Sequence, residues 1–209
     1  SINDFKTKGY TPEAMANYMA LLGWSVPEGM AERFTIEEAS MVFDLNRINK
    51  AGAKFDWEKL NWLNSQVLHD LSSEVLLKSL KPLWINEGWS LHEDQWNNDL
   101  AELLGPSLTT LQDGVEQARA FFEEPPLEED ALNQLNLEGS KEALKTLLEL
   151  VTANPWDGKN YDEAKKILSI SATSAEVKKG LIMKSLRAAL FGKMQGPDLL
   201  TSWSLIARI

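Results

Sequence analysis

At roughly 150 residues per domain, a chain of 209 residues predicts one or two domains. Apolar residues make up 44% and charged residues 25%, a globular balance that excludes disordered, collagen-like and low-complexity chains. The net charge of −10 argues against nonspecific coating of DNA, and with no cysteine the chain has no disulfide scaffold, thiol nucleophile or thiolate zinc site.

The chain order reads as helices throughout. Thr11-Pro12-Glu13 supplies a capping hydroxyl, a proline at the first helical position and an acid at the positive end of the dipole. Met15, Tyr18, Met19 and Leu22 then recur at helical spacing, and Gly23 ends the segment. Thr35 and Glu38 form a capping box. Asp56 caps a helix carrying Leu60, Leu63, Val67 and Leu68, and Ser72 or Ser73 opens the next, which Pro82 is expected to kink or end. Leu91 to Leu104 and Leu108 to Phe122 read as two helices split by Gly105-Pro106. Pro125-Pro126, among Glu123, Glu124, Glu128 and Glu129, reads as a solvated linker. Ser140 is expected to cap a helix that runs through Val151 and stops at Asn154-Pro155, followed by a helix over Tyr161 to Ile170. Ser174 is expected to cap a long helix that Gly192 ends, and Gly196-Pro197 starts the last one. No alternating pattern with hairpin turns occurs, so the expected fold class is all-α. Ser1 in place of methionine, and an apolar helical pattern still running at Ile209, give the expectation of a piece of a longer protein.

Enzyme signatures are missing. There is no G-x-x-x-x-G-K-S/T loop, G-x-G-x-x-G, H-E-x-x-H or G-x-S-x-G. The two histidines, His69 and His92, are too far apart in sequence to share a helix face, and they exclude a His-rich metal site. The longest apolar run, Tyr18 to Leu22, falls far short of the roughly 18 residues a membrane span needs. Asp4, Lys6 and Lys8 interrupt any signal-peptide pattern, so the expected location is the cytoplasm, with no membrane partner.

Two features rise above this background. The first is eight tryptophans, at positions 24, 57, 62, 84, 89, 96, 156 and 203. Most read as core, while Trp62 is ambiguous because it sits with Lys59, Asn61 and Asn64. The second is charge asymmetry. Residues 1–60 carry −2, residues 61–135 carry −11 and residues 136–209 carry +3. From Val177 to Pro197 there are five cations, Lys178, Lys179, Lys184, Arg187 and Lys193, and no acid. A basic helix leading through a Gly-Pro turn into a fresh helix N-terminus suits a phosphate and bases presented singly. The planar fork of Arg187 can pair with a base edge or stack on it.

Three stretches carry a resemblance. Gly9-Tyr10-Thr11-Pro12-Glu13-Ala14, with Asn17-Tyr18 and Leu21-Leu22-Gly23-Trp24-Ser25, resembles the segment after the K-M-S-K-S-type loop of bacterial glutamyl-tRNA synthetases. Phe55-Asp56-x-x-Lys59-Leu60-x-Trp62-Leu63-Asn64 is similar to a second hallmark of that family. Leu186-Arg187-Ala188-Ala189-Leu190-x-Gly192, continuing to Gly196-Pro197-x-Leu199, is similar to a third. The resemblance covers nearly the whole chain, in the family's order.

It implies the tRNA-reading half of a class I synthetase that joins glutamate to its tRNA. The ATP and magnesium that the whole enzyme uses have no expected site in this stretch, whose nucleotide-binding domain motifs are absent. Residues 1–70 resemble a stem-contact region, 71–125 a first anticodon-binding helical domain and 126–209 a second. Lys59, Trp62 and Asn64 match the stem-contact hallmark. Arg187 matches an arginine that contacts an anticodon base, and Gly196, Pro197, Leu199 and Leu200 match the turn and helix start that pack on splayed bases. Lys184 and Lys193 join the expected tRNA-binding set from the basic stretch. At Gly105, relatives that charge only glutamate tRNA carry an arginine that reads the third anticodon base. Glycine offers neither donor nor bulk there, so the resemblance implies acceptance of glutamine tRNA as well. The expected partner is tRNA, with no DNA partner and a monomeric state. The alternative is a helical module that docks a protein through exposed tryptophans.

Overall fold

A computed structural model describes residues 1–50 and 52–209. Twelve α-helices run through them: α1 (Ile2–Thr7), α2 (Pro12–Gly23), α3 (Ile36–Val42), α4 (Trp57–His69), α5 (Ser73–Asn86), α6 (Asp94–Leu104), α7 (Leu111–Ala118), α8 (Glu129–Leu135), α9 (Ser140–Ala153), α10 (Tyr161–Ser174), α11 (Lys179–Phe191) and α12 (Leu199–Ala207). No strand occurs among the described residues. A single antiparallel bridge joins Trp24 to Ile48. The all-α expectation holds. The helices form two compact units, one from residues 1–83 and 105–116, the other from 84–104 and 117–209. The stretch 71–125 contributes to both.

In the first unit, α2 packs on α4 around Tyr10, Ala14, Tyr18, Leu60 and Leu63. The start signals act as the sequence predicts. The Thr11 hydroxyl accepts from the Ala14 N–H with Pro12 next in line. Thr35 and Glu38 exchange both bonds of their capping box, and Asp56 accepts from the Lys59 N–H. The short α1 carries a capping box of Ser1 with Asp4 and a basic Lys6 in its last turn. It is followed by Gly9, whose φ of +85° lets the Tyr10 N–H reach back to the Phe5 carbonyl at 3.0 Å. A Cβ on Gly9 would lie 2.7 Å from the Leu111 backbone nitrogen, and that N–H donates to the Gly9 carbonyl at 2.9 Å. Two expectations shift here. Helix α5 runs on through Pro82 to Asn86, anchored by fully buried Leu76, Leu80 and Trp84. Helix α7 begins at Leu111 rather than Leu108, because the Asp113 carboxylate takes the N–H groups of Thr109 and Thr110 at 3.0 and 2.8 Å.

In the second unit, α8, α9, α10 and α11 pack against one another, and α6 packs on α12. The fully buried Trp96 ties the latter pair by donating its Nε1–H to the Leu205 carbonyl at 2.8 Å. Ser140 does not cap α9. It is the first helical residue, fully buried, and its hydroxyl donates to the Gln134 carbonyl and accepts from Ser185. Ser174 does not cap α11 either; it is the last residue of α10. Glu176 takes a left-handed φ of 54°, and the N–H groups of Glu176 and Val177 fold back to the carbonyls of Thr173 and Ala172. Helix α11 then starts after Lys178 with no side-chain cap.

Candidate functional site

The acid-free basic stretch folds as α11 and the turn behind it. Leu186, Ala188 and Phe191 point inward, which leaves Lys178, Lys179 and Lys184 exposed. Gly192 closes α11 with φ +68° and a bond from its N–H to the Ala188 carbonyl at 2.9 Å. Lys193 is half-buried and Gly196 is exposed in the turn that follows.

Arg187 organises that turn. Its Nη1 donates to the Pro197 carbonyl at 2.9 Å, and its guanidinium lies 5.6 Å from the centre of the Phe191 ring. Gly196 has φ +156°, and a Cβ there would approach Phe191 and Arg187 Nη1 at 3.2 and 3.3 Å. One donor of the guanidinium fork is thus engaged within the fold, while its ring and carbonyl partners fix its plane. Leu199 is buried and Leu200 half-buried. The N-terminus of α12, expected to suit a phosphate, is filled by this chain's own carboxylate. Asp198 accepts from the Thr201 N–H at 2.9 Å and from its hydroxyl at 2.8 Å.

In the other unit, the residues of the Phe55–Asn64 hallmark sort into distinct roles. Trp62 is 44% exposed on α4. Lys59 is half-buried and its ammonium bonds to Glu32 at 2.7 Å. Asn64 is fully buried, with Oδ1 accepting from the Thr11 N–H and hydroxyl at 2.8 and 3.0 Å. Its Nδ2 donates to the Thr109 carbonyl at 2.6 Å. Asn64 therefore joins α4 to two loops rather than facing solvent. Gly105 is buried, and a Cβ there would meet Leu76 Cδ2 at 3.1 Å.

Six of the eight tryptophans are buried, and Trp57 lies 4.8 Å from Phe55 and 5.7 Å from Phe5, ring to ring, with Lys8 over its face. The two exposed tryptophans, Trp57 and Trp62, both lie on α4, and no further observation favours the protein-docking alternative. Two polar groups escaped the sequence reading. Glu123 accepts from Arg119 and from the Trp89 Nε1–H, and these two bonds, Arg119 first, hold its carboxyl below the usual glutamate range. Asp130 bonds to the N–H of Met194 in the turn. Runs of acids beside Pro125-Pro126 read as solvated, so only a cap signal ahead of α8 could have singled Asp130 out. Among the described residues, no group of three or more Asp, Glu or His side chains could hold a metal ion. No helix among the described residues is long and apolar enough to cross a membrane.

Comparison with known proteins places the chain in a family. The family model for the anticodon binding domain matches residues 75–208. The model for the catalytic domain of class I tRNA synthetases (E and Q) matches residues 1–62. Glutamate–tRNA ligases of Prochlorococcus marinus (strain MIT 9303) and Parasynechococcus marenigrum (strain WH8102) are 63% and 60% identical over the whole chain. The chain spans 44% of the length of each of these curated relatives. Among solved structures, a glutamate–tRNA ligase from Elizabethkingia meningosepticum aligns with a TM-score of 0.81 at 28% identity, covering 97% of this chain and 39% of that one. The glutamate–tRNA synthetase of Elizabethkingia anophelis gives a TM-score of 0.79 at 29% identity, with the same coverage. Over residues 75–208 the chain belongs to the anticodon binding domain family, and along its whole length it is similar to part of the glutamate–tRNA ligases.

Proposed function

We propose that this chain grips tRNA for a glutamate–tRNA ligase, reading the anticodon loop with the α11–α12 turn and touching the stem with α4. The observation that carries the reading is the Arg187 cluster. A guanidinium is fixed by Phe191 and the Pro197 carbonyl beside Gly196, in an acid-free stretch that also carries the exposed Lys178, Lys179 and Lys184. Anticodon bases are single-stranded, so they can be splayed and read on their edges, and a preset planar fork with remaining N–H donors suits that task.

In this reading Lys184, Lys193, Lys178 and Lys179 meet phosphates. Gly196, Pro197 and the half-buried Leu200 meet bases, and Leu199 supports them from inside. In the other unit, Trp62 and Lys59 are the stem contacts and Asn64 holds their helix in place. The functional division is a stem-contact region over 1–70, with anticodon-binding domains over 71–125 and 126–209. The attachment of glutamate with ATP is assigned to the whole ligase, and no chemical step is placed on these residues.

Gly105 sets specificity in this proposal. It offers no donor and no bulk, and Leu76 closes the space a side chain would enter. A site built so has nothing that clashes with either C or G at the third anticodon base. Binding of glutamate tRNA, glutamine tRNA and one unrelated tRNA tests both parts. The first two are expected to bind within about threefold of each other and the third far more weakly. Rejection of glutamine tRNA by a hundredfold overturns the specificity reading alone. Equal binding of all three, or of none, overturns the anticodon reading.

A further inference from the structure

The stretch 125–130 is bonded to the turn that follows α11. The Glu128 N–H donates to the Gly192 carbonyl at 2.7 Å. The Met194 N–H donates to Asp130 Oδ2 at 3.2 Å, while Asp130 Oδ1 accepts from the Ala131 N–H at 2.7 Å. Behind Gly192 lies the Pro126 carbonyl, so near that a Cβ on Gly192 would overlap it, with Pro125 Cβ at 3.4 Å from that point. At the far end of the turn, Arg187 holds the Pro197 carbonyl. The turn is thus gripped at its start by residues 126–130 and at its end by Arg187. Two consecutive prolines give the first grip fixed backbone torsions and little freedom to lose.

We propose that Asp130 is a positioning residue for tRNA recognition. Its carboxylate clamps Met194 so that Lys193, Gly196 and Pro197 meet the anticodon in a preset arrangement, which lowers the ordering cost of binding. The proposal rests on the reading of this turn as the anticodon-reading surface. Its sign separates it from plain electrostatics. A carboxylate beside an RNA face repels phosphate, so charge alone makes its removal tighten binding. A clamp makes the same removal weaken binding. Glu129, the exposed neighbouring acid, is not bonded to the turn and supplies the control.

The test combines amide hydrogen exchange with glutamate-tRNA binding at fixed salt, for the wild type and for Asp130→Ala, Asp130→Asn and Glu129→Ala. The bond is exposed, so the unit keeps its fold, which thermal melting verifies. Asp130→Ala is expected to speed exchange at Met194 and to weaken tRNA binding about tenfold. Asp130→Asn, which keeps an acceptor oxygen, is expected to recover most of both. Glu129→Ala is expected to leave exchange at Met194 unchanged and affinity unchanged or tighter. Unchanged exchange at Met194 in Asp130→Ala overturns the clamp. Faster exchange with unchanged or tighter binding overturns its role in recognition. A wild-type chain that binds no tRNA overturns the anticodon reading itself, and the proposal with it, whatever the variants do.

Discussion

Asn64 and Trp62 sit two positions apart on α4 and are expected to fail in opposite ways. Truncating Asn64 strands a buried Thr11 N–H away from water and takes the partner from the half-buried Thr109 carbonyl. Asn64→Ala is therefore expected to cost roughly 2–4 kcal/mol of stability, read by equilibrium denaturation. Trp62 is nearly half exposed, so Trp62→Ala is expected to leave stability within about 1 kcal/mol of wild type while weakening tRNA binding. Stability unchanged in Asn64→Ala, or a large loss in Trp62→Ala, would reverse the two assignments. The hallmark Lys59-x-x-Trp62-x-Asn64 was legible in the sequence as a set, but not the division of labour within it. Burial of Asn64 depends on Gly9, Thr11 and Thr109, which no local pattern connects to it. Arg187 was legible for the opposite reason, because its partners Phe191 and Pro197 lie within its own hallmark.

Helix boundaries follow the same rule of distance. Caps at Thr11, Thr35 with Glu38, Asp56 and Gly192 close through bonds to residues within four positions, so the chain order alone predicts them. Ser140 departs because its hydroxyl is drawn to Gln134 and Ser185 in the packed interior. Ser174 departs because a left-handed residue three positions before the start of α11 ends α10 instead. That residue is Glu176, whose side chain gains nothing from φ 54°. Glu176→Gly is expected to raise stability by about 0.5–1 kcal/mol, seen as a higher melting temperature, since glycine takes this conformation without a Cβ penalty. A lower melting temperature would mean that the Glu176 side chain contributes more than its backbone costs. The segment after α7 has its own pH signature. Bonds from Arg119 and Trp89 depress the Glu123 carboxyl in the folded state. Its contribution is present above its ordinary value of 4.5 and is lost as pH falls through and below that range. Melting temperatures from pH 3 to 6 are therefore expected to fall less steeply in Glu123→Gln than in the wild type, and parallel curves would dismiss the contribution.

At the scale of the whole molecule, a chain of net charge −10 that grips tRNA as proposed has to do so through a minority of its surface. The stretch from Val177 to Pro197 concentrates five cations without an acid, and three of them, Lys178, Lys179 and Lys184, are exposed. Acids of the middle third, Glu128 and Asp130 among them, border the turn after α11, so the local field that a phosphate meets there is the balance of both signs of charge. Each phosphate neutralised on a single strand contributes about −0.7 to the slope of log affinity against log salt concentration. Five cations in this stretch set a ceiling of about −3.5 for its share of the slope. Lys178→Gln with Lys179→Gln is expected to make the slope shallower by about 1.4 if both meet phosphates. These lysines flank the start of α11, away from the Arg187 cluster in sequence, so the ratio between glutamate tRNA and an unrelated tRNA is expected to stay constant. Arg187→Lys is expected to do the reverse, because an ammonium keeps the charge but loses the planar fork. It should leave the slope nearly unchanged and lower that ratio. A double lysine variant that alters the ratio, or an Arg187→Lys variant that alters only the slope, would show that phosphate attraction and base reading are not divided between these residues as the fold arranges them.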